Sequence, residues 1–219
     1  MLLSALTTLQ IASYTAYAEE SPRNVKTLTD WEFRRDHDWK AGEGWTAVKV
    51  PHDWAITGPF SKENDLQVVA VVQNGEKQAT EKTGRSGGLP YMGKGCYRTV
   101  IDISGNLSRT ILFDGAMSEA QVLVNGVKVG EWPYGYNSFS FDITGALRQG
   151  RNEIVVLLEN RPFSSRWYPG AGLYRKVRLI ETNPVHIPVW GVFITTPKVS
   201  AEEAGVRIST NVEGAAEGE

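Results

Sequence analysis

The stretch Gln121-Val122-Leu123-Val124-Asn125-Gly126-Val127-Lys128-Val129-Gly130 decides the fold. Two runs rich in β-branched residues flank Asn125-Gly126. Both turn residues tolerate the positive φ that a two-residue hairpin turn needs. The stretch therefore predicts two antiparallel strands joined by a tight turn. Outward from it the same pattern repeats. Upstream, Cys96 to Ile103 alternates: Tyr97, Thr99, Ile101 and Ile103 face one way, with Arg98, Val100 and Asp102 on the other side. Leu28 to Arg34, Trp45 to Val50 and Thr110 to Phe113 are further strand candidates. Downstream come Asn137 to Phe141, Glu153 to Glu159, Tyr174 to Ile180, Val189 to Thr195 and Val206 to Asn211. A helical turn is expected over Ala146 to Gln149, and no long amphipathic helix can be drawn. Short strands at this spacing predict an all-β sandwich.

One long stretch breaks the rhythm. Gly58 to Gly95 has little regular pattern apart from Leu66 to Val72, and loops of that length are usually functional or disordered. Its Gly84-Arg85-Ser86-Gly87-Gly88-Leu89-Pro90 run lacks the Gly-Lys-Ser/Thr and the following helix of a phosphate loop. A second break comes at Thr182-Asn183-Pro184, where Pro184 and Pro188 bracket a linker-like segment. Two strands follow before Gly214-Ala215-Ala216-Glu217-Gly218-Glu219. Two strands do not make an independent sandwich. The expected organisation is a leader over 1–18, one sandwich over 22–183 and an incomplete second domain over 184–219.

The leader is read from Met1 to Ala18, which is apolar and uncharged and closes on Ala16-Tyr17-Ala18, an A-x-A cleavage pattern. It lacks a basic start. Export to the periplasm or cell exterior is the expectation, and no other segment approaches the length of a membrane span. The net charge of −2 and the scatter of the 23 Lys and Arg residues argue against nucleic acid as a partner. Seven Trp and eight Tyr supply rings that pack cores and also stack on sugar faces.

The chemistry of the side chains is sparse. With one cysteine, Cys96, no intrachain disulfide forms, and its strand setting predicts a small packing residue. His37, His52 and His186 lie apart, with no metal-ligand spacing. No Gly-x-Ser-x-Gly elbow starts a serine triad. Neighbouring acids such as Glu63 and Asp65, or Glu202 and Glu203, suit a solvated surface. An acid/base pair must instead converge from separate elements into a cleft. No catalytic residue, metal site or cofactor is expected in this chain.

Four phrases, in this order, carry a resemblance: Val50-Pro51-His52-Asp53-Trp54; Gly93-Lys94-Gly95-Cys96-Tyr97-Arg98; Phe113-Asp114-Gly115-Ala116-Met117-Ser118 leading to Val124-Asn125-Gly126; and Ser165-Arg166-Trp167-Tyr168-Pro169-Gly170-Ala171-Gly172-Leu173-Tyr174-Arg175. Over roughly Leu28 to Glu181 they resemble the N-terminal sugar-binding domain of family 2 glycoside hydrolases, most closely the β-galactosidase type of Bacteroides-like bacteria. Cys96 departs from the Trp of many relatives.

The resemblance implies a jelly-roll (galactose-binding-like) β-sandwich followed by the first strands of an immunoglobulin-like β-sandwich. It places the two catalytic carboxylates on a barrel outside this chain. It also implies a β-galactoside or related oligosaccharide as the substrate partner. First-domain loops line the substrate pocket in that family, which nominates Arg166, Trp167 and Tyr168, then Asn64 and Asp65, then Asp53. For Asp53 a structural turn that accepts backbone hydrogen bonds is the competing role. Two other readings stay open at this point: a free-standing lectin-like module and a purely structural sandwich. Whether the chain forms a homo-oligomer is also open.

Overall fold

The computed structural model describes residues 23–61, 91, 93–160 and 170–215. Twelve strands lie among them: β1 (Asn24–Thr27), β2 (Asp30–Arg34), β3 (Thr46–Lys49), β4 (Gly93–Ile103), β5 (Ser108–Phe113), β6 (Ala120–Val124), β7 (Val127–Trp132), β8 (Phe139–Asp142), β9 (Gly150–Asn160), β10 (Val177–Thr182), β11 (Val192–Val199) and β12 (Ala204–Thr210). One helical turn, α1 (Trp54–Thr57), and a 3-10 turn at Thr144–Ala146 complete the set.

Two antiparallel sheets face each other. The larger runs β3-β2-β4-β9-β6-β7 and the smaller β1-β10-β5-β8. Side chains alternate along each strand, so one face of every strand enters the shared core. Trp31, Phe33, Tyr97, Ile101, Val122, Ile154, Val156 and Leu158 come from the larger sheet; Ile111, Phe113, Phe139, Val177 and Leu179 come from the smaller. Burying each of these side chains contributes about 1.5–3 kcal/mol. The β6–β7 turn is the one read from sequence: Asn125 has φ 51° and Gly126 φ 82°. Asn125 does more than turn the chain. Its Nδ2 donates to Ala146 O at 3.0 Å and to Asn152 Oδ1 at 2.8 Å, which pins the turn preceding β9.

Three expectations shift. The strand drawn from Leu28 to Arg34 begins at Asp30, as β2, and a separate strand, β1, precedes it. β1 lies in the smaller sheet and β2 in the larger, and the chain crosses between them at Leu28 and Thr29. There the Leu28 amide donates to Val177 O and the Val50 amide to Thr29 O, both at 2.9 Å. The helical turn sits two residues earlier than expected, because Asp142 Oδ1 accepts the Thr144 amide at 2.8 Å. The strand drawn from Tyr174 begins only at Val177; the Tyr174 hydroxyl donates to Gly135 O at 2.8 Å, and the Asp114 amide donates to Lys176 O at 3.0 Å. The strand candidate Leu66 to Val72 lies outside the described residues. Cys96 is buried, and that burial pushes its thiol up to about 12, so it stays protonated and inert.

Beyond Thr182 the chain forms a separate hairpin, in which β11 and β12 pair with each other. His186 and Glu213 close its base with paired backbone bonds of 3.0 and 2.9 Å. The Arg23 guanidinium donates to Ile187 O and ties this segment to the start of the sandwich.

Candidate functional site

Three segments meet at one end of the sandwich. Pro51 to Gly58 follows β3, Asp114 to Glu119 joins β5 to β6, and Gly170 to Leu173 approaches β10. The His52 amide donates to Leu173 O at 2.8 Å and the Trp54 amide to Ala171 O at 3.1 Å. On the other side, Gly172 and Met117 exchange two backbone bonds of 3.0 Å. The short 171–173 segment is thus gripped between two others.

Asp53 sits at the centre of this grip. Its Oδ1 accepts the Ala55 amide at 2.9 Å, capping α1. The same oxygen accepts the Ala171 amide at 2.8 Å. Burial raises the carboxyl above its ordinary value, and the amides that point at it oppose that rise. A carboxylate held this way acts as a bolt between backbones.

His52 and Tyr97 lie directly behind. His52 Nδ1 and the Tyr97 hydroxyl are 2.7 Å apart, and Tyr97 is wholly buried. Burial, and then the positive charge of Arg35, lower the His52 pKa. Gly172 fits here because nothing else does. Its φ is 111°, and a Cβ at this position would lie 2.4 Å from the Tyr97 hydroxyl and 2.7 Å from His52 O.

The same cluster ties down the stems of two longer segments. Asn160 Nδ2 donates to Gly170 O at 2.7 Å, closing the two ends of the 161–169 stretch against each other. The Arg35 guanidinium donates to Gly58 O, close to where residues 62–90 depart. Trp54 Nε1 donates to Tyr91 O at 3.1 Å where they return, and Trp54 itself is fully buried against the Phe33 ring. A hollow of about 480 Å³ lies alongside, lined by Phe33, Arg34, Arg35, His52 and Thr57 among others.

Of the residues nominated from sequence, Asp53 is therefore at the junction itself. Asn64, Asp65, Arg166, Trp167 and Tyr168 lie outside the described residues. The sequence reading missed Tyr97, Asn160 and Arg35 as parts of this junction. Only the Pro51-His52-Asp53-Trp54 phrase signalled it in advance. Among the described residues no Asp or Glu is fully buried, Asp53 being half-buried, and no group of three metal-capable side chains is clustered. What these residues can do chemically is hold two segments at fixed stems.

No family model matches the chain. It is 34% identical over 206 residues to the β-galactosidase BoGH2A of Bacteroides ovatus, an alignment that takes in 88% of this chain and 22% of that protein. It is 35% identical over 179 residues to a putative β-glucuronidase of Formosa agariphila, covering 80% of this chain and 16% of that one. Among solved structures, a β-glycosidase from Bacteroides vulgatus superimposes with a TM-score of 0.68 at 29% identity, over 89% of this chain and 25% of the other. A glycosyl hydrolase family 2 member from Bacteroides cellulosilyticus gives a TM-score of 0.68 at 28% identity, over 88% and 25%. The chain thus spans about a fifth of the length of these two curated relatives.

Proposed function

Because this chain is homologous to the N-terminal region of the family 2 glycoside hydrolases, we propose that it is the pocket-shaping front part of an enzyme that hydrolyses terminal β-linked sugars with retention, β-galactosides first. Retaining cleavage needs two carboxyl groups about 5–5.5 Å apart, one as acid/base and one as nucleophile. In this reading both belong to a barrel outside the chain. The sandwich supports that barrel and lends it loops. Arg166 offers a rigid fork of donors to sugar hydroxyls, Trp167 a flat face for a pyranose ring, and Tyr168, Asn64 and Asp65 further polar contacts. The Met1 to Ala18 leader directs export to the periplasm or cell exterior.

The observation that carries this reading is the junction around Asp53. A pocket wall serves catalysis only when it is held close to the productive geometry. Asp53, Asn160, Arg35 and Trp54 fix the stems of the two segments that bear the nominated residues.

The test uses the longer gene product that carries this domain, assayed on p-nitrophenyl β-galactoside. Arg166→Ala and Asp53→Ala are expected to raise KM about tenfold while kcat changes less. An unchanged KM in both variants contradicts the pocket-shaping role. A parent protein inactive on every terminal β-glycoside contradicts the enzymatic reading.

A further inference from the structure

A second hollow of about 600 Å³ lies far from the Asp53 junction, between the outer face of the smaller sheet and the β11–β12 hairpin. Ser140 and Asp142 of β8 line one side. Trp190, Phe193, Ser209 and Asn211 line the other.

Trp190 is the informative residue. The Gly191 amide donates to Pro188 O at 3.0 Å, closing a four-residue turn with Trp190 in its third position. Its φ is 59°. Gly or Asn normally fills such a position, and a bulky side chain there is an outlier. The strained backbone holds an indole that is 64% exposed. Strained residues of this kind cluster at ligand clamps and other functional sites, which marks the exposed Trp190 ring as a candidate contact.

The hairpin separates this surface from a different one. Its register places Phe193, Thr195, Arg207 and Ser209 on one face and Val192, Ile194, Val206 and Ile208 on the other. The second face is mostly apolar, with Thr210 opposite Val192 at its edge beside the hollow, and it suits burial against protein. The first face, which lines the hollow, is mostly polar. Among the described residues, the side chains of Ser140, Ser209 and Asn211 make no hydrogen bond within the chain. Exposed rings, Trp190 and Phe193, beside short hydroxyl and amide groups match a sugar, whose C–H face stacks while its hydroxyls are shared out. The two carboxylates here, Asp142 and Glu213, disfavour acidic sugars.

We propose that this hollow is an accessory binding site for a neutral oligosaccharide, with Trp190 as its stacking platform. The site stands independently of the function proposed above, because it needs neither the Asp53 junction nor a barrel.

The test titrates lactose and β-1,4-galactotetraose into the full 219-residue chain and follows the Trp190 indole N–H resonance, assigned by its loss in Trp190→Gly. A saturable shift with about millimolar affinity is expected for the tetraose, and none for a tetragalacturonate. Trp190→Gly relieves the positive φ, so the sandwich folds as before. Calorimetry should show its affinity for the tetraose reduced by about tenfold or more, with Trp190→Phe in between. No saturable response to either neutral sugar overturns the site. So does equal affinity in Trp190→Gly, or an indole that in the longer gene product is covered by protein and deaf to sugar.

Discussion

Asp53 and Ala171, 118 residues apart in sequence, are joined by a 2.8 Å hydrogen bond from the Ala171 amide to Asp53 Oδ1. That oxygen also caps α1 through the Ala55 amide. Removing it leaves two backbone donors without their partner. Asp53→Ala is expected to cost about 2–4 kcal/mol in urea denaturation. Asp53→Asn keeps an acceptor oxygen and should cost less than about 1 kcal/mol. The carboxyl is raised in the folded chain, so the native state holds its proton more firmly than the unfolded one. Its contribution is present at low pH and is lost as pH rises above 3.8 through the raised value. Asp53→Asn should remove that part of the profile.

His52 gives a slope of opposite sign. Its folded pKa is depressed, so it stays neutral where the unfolded chain takes up a proton at about 6.5. Stability is full above 6.5 and declines as pH falls through the depressed value. His52→Gln should flatten the decline that sets in below about pH 6.5 in chemical denaturation. An unchanged slope would assign the acid sensitivity to another group.

Gly172→Ala tests the tightness of the junction. The added Cβ meets the Tyr97 hydroxyl at 2.4 Å and His52 O at 2.7 Å, in a backbone conformation that L-residues avoid. A loss of about 2–4 kcal/mol is expected from thermal or urea unfolding. A neutral effect would mean that the 171–173 segment is not held where it is described.

The apolar face of the hairpin makes its own prediction. Val192 is 47% exposed, Ile194 59%, Val206 61% and Ile208 62%. A face of this kind, with open strand edges, favours association. The chain should bind a hydrophobic dye and sediment with concentration-dependent mass. Ile194→Lys together with Ile208→Lys should suppress both without lowering the melting temperature of the sandwich. Amide exchange across β12 should also be faster than across the centre of β9. Slow exchange in the monomer would contradict an uncovered hairpin.

The legible parts of this fold are those written locally. Asn125-Gly126 specifies its own turn, and the alternation from Tyr97 to Ile103 specifies its own faces. Asp53 was legible as a backbone acceptor because it opens a turn beside Trp54. What escaped depends on partners distant in sequence. β1 and β2 separate because Leu28 finds Val177, and a propensity reading cannot see a strand so far away. The His52–Tyr97 pair and the Asn160–Gly170 clamp likewise arise only once the sheets assemble. Trp190 read simply as the start of a strand, because its positive φ leaves no trace in composition.

The most direct measurement is hydrolysis of p-nitrophenyl β-galactoside by the purified 219-residue chain. Cleavage needs two opposed carboxyl groups on a rigid frame, so the rate should equal that of buffer alone. Turnover above that background, abolished by replacing one of the chain's own Asp or Glu residues, would contradict the division of labour proposed here.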